Sequence, residues 1–254
     1  CLMLNQDLDL GALAEQYRQE KRLRIENFLE AEVAGRIFQY CQESVEYRLA
    51  FSREGQNVTI TMDELAKLPE SKQKEMNLEI MNAASKGEGF LYSGYQMGQA
   101  VDTDDEKLRF LHEVFDFFNG DELLSAIRTI TGEASIASAD AQYTRFTAGH
   151  FLTRHRDVVA GKDRRVAYVF SATWGWHPDW GGLLQFYQED GTPEDAWSPG
   201  FNTLSLFDTS YIHSVTYVTP FAQAPRLSLS GWFRGLAAPS VGREVWNIKS
   251  NLTP

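Results

Sequence analysis

The segment Thr153-Arg154-His155-Arg156-Asp157 offers one imidazole and one carboxylate two residues apart. In extended backbone, side chains at that spacing point the same way, so both reach a single point able to hold a metal ion. A third donor, His213, stands in Tyr211-Ile212-His213-Ser214-Val215, a β-branched and aromatic run that predicts a strand. Further on, Pro225-Arg226-Leu227-Ser228-Leu229-Ser230-Gly231-Trp232 alternates strictly, which puts Arg226, Ser228, Ser230 and Trp232 on one face. Two His and one carboxylate leave half of an octahedral coordination sphere open, and a fixed cation nearby suits a dianionic co-substrate.

Around this stretch the sequence breaks into short β-rich runs separated by turn signals. They are Ala141 to Phe146, Arg165 to Thr173, Gly182 to Tyr187, Thr203 to Phe207, Ile212 to Val218 and Arg226 to Phe233. Six runs at this spacing predict an antiparallel sandwich or barrel. Upstream the texture is mainly helical. Asp9 caps a helix to Lys21, Arg22 to Ile25 alternates like a strand, and Ala31 to Glu46 carries an apolar stripe that includes Cys41. Tyr47 to Ala50 and Gln56 to Thr61 read as paired outer strands, followed by a capping box at Thr61 and Glu64. Lys67 to Lys86 is expected to be one helix anchored by Leu78, Ile80 and Met81. Phe90 to Met97 reads as a strand or entry loop whose tyrosines fill a gap over the core. Two more helices, Asp104 to Asn119 and Leu123 to Thr131, precede a change of pattern near residue 138 that has no linker composition.

At 254 residues, 43% hydrophobic and 23% charged, the chain has ordinary globular composition and is long enough for a sizeable core. Its formal net charge of −11 repels a phosphate backbone, which argues against nucleic acid or an anionic membrane as the main partner. Cys1 and Cys41 make no disulfide framework, and neither a signal-peptide pattern nor a membrane-spanning run is present in the sequence. A cytoplasmic location is the expectation.

The order His155-x-Asp157, His213, Arg226-x-Ser228 resembles the Fe(II)/2-oxoglutarate dioxygenases, and within them the prolyl-4-hydroxylase-like branch. Gly149-His150-Phe151-Leu152, the Gly181-Gly182 turn with its following strand, and Asn202 to Phe207 extend the likeness over about residues 140 to 235. The resemblance implies an α+β fold: a double-stranded β-helix, or jelly roll, with N-terminal helices packed on one sheet. It implies a single domain over 1–254, with helical support at 1–138, a catalytic β-helix at 139–235 and a tail at 236–254. His155, Asp157 and His213 would then hold Fe(II), and three open positions would take 2-oxoglutarate and O₂, yielding succinate, CO₂ and a hydroxylated product. Ascorbate is a further candidate cofactor. Arg226 would grip the distal carboxylate with two parallel hydrogen bonds, Ser228 would add a hydroxyl, and Trp232 stands where family members carry a pocket-lining Trp. The implied substrate is a prolyl residue of a protein or peptide, with a free amino acid or other small metabolite as the alternative. A metal-binding β-helix without oxygenase activity is the reading from another class.

The chain departs from the family pattern in three places. A Tyr that commonly precedes the first metal ligand is Phe146 here, leaving Tyr143, Thr144 and Arg145 as candidates for its hydroxyl role. An Asn common after the Arg165 to Phe170 strand is Ser171, and the turn between His213 and Arg226, with Pro220 and Pro225, is long. Of the other histidines, His112 reads as packing, and His150 and His177 as loop residues near the mouth. Gly181-Gly182 reads as tight backbone at a strand entry, since no strand-to-helix context supports phosphate binding.

Overall fold

The computed structural model describes residues 2–97 and 104–235; Cys1 and the tail expected at 236–254 lie outside them. Helix α1 (Leu10–Glu20) starts where Asp9 accepts the Ala12 N–H and stops where Lys21 turns left-handed. Strand β1 (Arg22–Ile25) leads to α2 (Ala31–Glu43), whose stripe of Val33, Ala34, Ile37 and Cys41 is buried. The Cys41 thiol is fully enclosed, and burial pushes its pKa far up. Strands β2 (Arg48–Arg53) and β3 (Gln56–Thr61) form a hairpin through Glu54-Gly55, both at positive φ as a tight primed turn requires. The expected capping box opens α3 (Met62–Lys67).

Pro69 then starts a separate helix, α4 (Glu70–Ser85). The expectation of one helix with three anchors is corrected here. Only Ile80 is buried, while Leu78 is 71% exposed and Met81 39%. The helix touches the sheet along Met76, Ile80 and Ala84, four residues apart, and Leu78 and Met81 lie off that line. Strand β4 (Phe90–Gln96), α5 (Glu106–Phe118), α6 (Asp121–Thr131) and the short β5 (Ser138–Ala139) complete the first half.

The second half supplies β6 (Gln142–Phe146), β7 (Phe151–His155), β8 (Arg164–Ala172), β9 (Leu184–Tyr187), β10 (Pro193–Trp197), β11 (Phe201–Asp208), β12 (Ile212–Val215) and β13 (Arg226–Arg234). All pair antiparallel in the order β1-β11-β8-β13-β6-β4-β7-β12-β9-β10, with β2 and β3 running off β4. The sheet curls so that β6, β8 and β13 face β7, β9 and β12 across one cavity. This is the expected jelly-roll core in an α+β fold. Strand β4, from the N-terminal half, is the bridge between the two walls, pairing β6 on one side and β7 on the other. Helices α1, α2, α5 and α6 bury their apolar faces in one core with β8, β11 and β13, where Phe28, Phe118 and Phe170 meet edge to face or tilted. Helix α4 covers a smaller cluster over β2 and β4.

Candidate active site

His155 ends β7 and pairs in register with His213 on β12, so the two rings lie side by side with centroids 4.2 Å apart. Asp157 follows the strand and is tied down by its backbone N–H to the Thr209 carbonyl, 3.2 Å away. Its carboxylate stands 3.3 Å from His155 Nε2 and 3.2 Å from His213 Nε2. Each Nδ1 faces a backbone carbonyl, His155 to Thr153 O at 2.8 Å and His213 to Tyr211 O at 3.0 Å. Those bonds place the ring protons on Nδ1 and leave both Nε2 lone pairs turned to the carboxylate. Two lone pairs and an anion, all buried, need a cation between them. Asp157 Oδ1 has no hydrogen-bond partner, and the three ligand atoms lie within 4.8 Å of one another. The site therefore fits a divalent metal of the facial His₂-carboxylate type. Burial alone would raise the Asp157 carboxyl, but the imidazoles hold it well below the usual carboxylate range. For His213, burial opposes a charge and the Asp157 carboxylate outweighs it, so its pKa is raised.

Across the cavity, Arg226, Ser228, Ser230 and Trp232 all line it, as the alternation of β13 requires. Arg226 is 4% exposed, and burial lowers its pKa to about 10. Its Nε donates to the Gly182 carbonyl at 2.7 Å, and its guanidinium lies 5.2 Å from the Phe146 ring centre. No carboxylate pairs with it among the described residues. Gly182 is required by this arrangement, since a Cβ there would stand 3.1 Å from Arg226 Cδ and 3.0 Å from Trp176. At Gly181 a Cβ would meet the Tyr217 carbonyl oxygen at 2.0 Å, so the double glycine is tight backbone. Ser228 Oγ bonds Thr144 Oγ1 at 2.5 Å.

Of the three candidates for the hydroxyl absent at Phe146, only Thr144 lines the cavity. Tyr143 turns its hydroxyl to the Leu111 carbonyl, and Arg145 stacks on Tyr47. A phenol does reach that wall, from Tyr92 on β4, which stacks on Phe146 at 5.0 Å. Phe90 and Tyr92 fill the core as expected, packed with Phe146, and they also line the cavity. Tyr92 and Gln142 were missed as lining residues. Nothing local signals either residue, since their placement depends on β4 inserting beside β6. His150 accepts the Thr147 N–H at 3.1 Å and His177 caps a short turn; neither lines the cavity. His112 is buried as a packing residue, and Ser171 bonds Thr173.

Residues 141–234 match the family model described as the 2OG-Fe(II) oxygenase superfamily, where 2OG is 2-oxoglutarate. With the buried His-Asp-His cluster, this match supports a 2-oxoglutarate-dependent dioxygenase domain over those residues, with Fe(II) and 2-oxoglutarate as its cofactors. The fold is that of the prolyl-4-hydroxylases. A prolyl-4-hydroxylase from Pseudomonas putida is similar at 18% identity and a TM-score of 0.58, over 89% of this chain and 98% of that one. A prolyl hydroxylase from Trichoplax adhaerens, in complex with a hypoxia inducible factor oxygen degradation domain peptide fragment, is similar at 16% identity and 0.58, over 89% of both chains. An oxidoreductase of the 2OG-Fe(II) oxygenase family from Burkholderia pseudomallei is similar at 12% identity and 0.59, over 92% and 94%. No curated protein sequence matches the chain. No helix among the described residues is long and apolar enough to cross a membrane.

Proposed function

We propose that this chain hydroxylates a prolyl residue of a protein or peptide, using His155, Asp157 and His213 to hold Fe(II) and Arg226 to hold 2-oxoglutarate. The observation that carries the reading is Arg226, a buried guanidinium without an acidic partner among the described residues, in the same cavity as the metal-ligand cluster. A buried cation calls for an anion, and its planar fork suits a carboxylate bonded twice. The Nε–Gly182 bond fixes the fork's plane. Ser228, already bonded to Thr144, offers its hydroxyl one step along the same face, and Trp232 walls the cavity beyond. Bound Fe(II) supplies the redox chemistry that activates O₂ as 2-oxoglutarate is decarboxylated to succinate. The aromatic lining of Phe90, Tyr92, Phe146 and Phe207 excludes water from that chemistry. The peptide fragment in complex with the Trichoplax adhaerens prolyl hydroxylase supports the choice of substrate class. A single-domain organisation and a cytoplasmic location are part of the same proposal.

The test supplies Fe(II), 2-oxoglutarate, O₂ and a set of capped prolyl peptides. Succinate release coupled to a one-oxygen mass gain on proline is the expected result. Coupled hydroxylation of free amino acids alone, with every prolyl peptide untouched, overturns the prolyl assignment.

A further inference from the structure

Thr144 and Ser228 are directly paired across β6 and β13, and both line the cavity. Side chains at paired positions rise from the same face of a sheet, so the bond between their hydroxyls, 2.5 Å from oxygen to oxygen, spans the two strands on the cavity side. Both residues are almost fully enclosed, at 4% and 1% exposure. Two hydroxyls carry two protons, and the bond between them uses one. Neither hydroxyl has another hydrogen-bond partner among the described residues. The second proton therefore needs an acceptor that the wall does not provide, since leaving a buried O–H unpaired is costly.

Arg226 lies one strand period before Ser228 on the same face, about 7 Å along the backbone, and the residue opposite it on β6 is Phe146, which has no hydroxyl. Its Nε is taken by the Gly182 carbonyl, so a carboxylate held there meets the two terminal nitrogens and keeps lone pairs for a further donor. Ser228 shares the strand and face of Arg226, whereas Thr144 stands on the neighbouring strand. We infer that Thr144 is a positioning residue: its O–H donates to Ser228 Oγ and so turns the Ser228 proton toward the distal carboxylate of 2-oxoglutarate. Each hydrogen bond in such a chain polarises the next, which makes Ser228 a stronger donor than a serine acting by itself. The inference rests on the proposed function, in which Arg226 holds that carboxylate, and adds a residue to it.

The test titrates two ligands into Mn(II)-loaded protein and reads the relaxation of water protons. The ligands are 2-oxoglutarate and 2-oxopentanoate, its analogue with a methyl group in place of the distal carboxylate. Thr144→Val removes the hydroxyl and keeps the shape; it should weaken 2-oxoglutarate by about fivefold and leave 2-oxopentanoate within about twofold of the parent. Thr144→Ser keeps the O–H and should bind 2-oxoglutarate within about twofold of the parent. In a Ser228→Ala background Thr144→Val should cost nothing further, because a positioning residue acts only through the group it positions. Undiminished binding of 2-oxoglutarate by Thr144→Val overturns the inference, and so does an equal loss for both ligands, which marks a structural role. Additive losses in the double variant also overturn it, since Thr144 then acts without Ser228. Arg226→Ala keeps the two possible failures apart. If it lowers 2-oxoglutarate affinity while Thr144→Val does not, only the role of Thr144 is wrong; if it leaves the affinity unchanged, the proposed function and the inference fall together.

Discussion

His150 shows how a histidine next to the mouth serves structure instead. Its Nδ1 accepts the Thr147 N–H, and burial lowers its pKa to about 4, from 6.5 when free. Between those values the unfolded chain binds a proton that the folded chain refuses. Stability from this residue is therefore complete above about pH 6.5 and falls as the pH drops toward 4. A tenfold difference in proton affinity between the two states corresponds to about 1.4 kcal/mol, and after discounting for partial exposure the loss is about 2 kcal/mol. Unfolding free energies from urea titrations of the parent and His150→Asn, taken from about pH 7 to about pH 4.5, should diverge by about that amount, with the parent losing more. Parallel curves would show that His150 titrates normally. At this scale the shared placement of His155 with Asp157 and of Arg226 with Ser228 and Trp232 was legible in the sequence from the two-residue strand period, while His213 joins them through the pairing of β12 with β7. Tyr92 and Gln142 were not, since a cavity wall built from strands of both halves leaves no local spacing to read.

Helix α4 separates apolar character from burial. Ile80→Ala removes a side chain packed among Leu49, Phe51 and Leu91, and should cost about 2–4 kcal/mol. Leu78→Lys, at a solvent-facing position, should change stability by less than about 0.5 kcal/mol. Chemical denaturation of both variants checks the pair, and a large loss at Leu78 would contradict the packing line through Met76, Ile80 and Ala84. The helix was visible in sequence, but its buried face was not, because apolar residues occur on more than one side. Strand β10 was invisible for the opposite reason. Pro193, Glu194 and Asp195 open it, a polar composition tolerated at an edge where only β9 pairs with it.

For the whole molecule, the helices and the catalytic sheet share one core, so neither half can bury its apolar face alone. Tyr168, Phe170, Leu229 and Phe233 lie against α2, α5 and their neighbours. Thermal unfolding should show a single transition, and a fragment of residues 139–235 should lack stable tertiary structure by near-ultraviolet circular dichroism. A fragment that folds and binds Mn(II) would contradict the single-domain proposal. In the proposed function, one cavity holds a metal on one wall and the distal carboxylate of 2-oxoglutarate on the other. The decisive experiment is titration of 2-oxoglutarate into Mn(II)-loaded parent, Arg226→Lys and Arg226→Ala. Removing one partner of a buried charge pair costs about 3–5 kcal/mol, so Arg226→Ala should keep Mn(II) and lose roughly a hundredfold to several-thousandfold in 2-oxoglutarate affinity. Arg226→Lys should recover part of it, because the charge stays and the fork is lost. An Arg226→Ala protein that binds 2-oxoglutarate within about threefold of the parent would mean that the distal carboxylate is held elsewhere, and the two-walled site would be wrong.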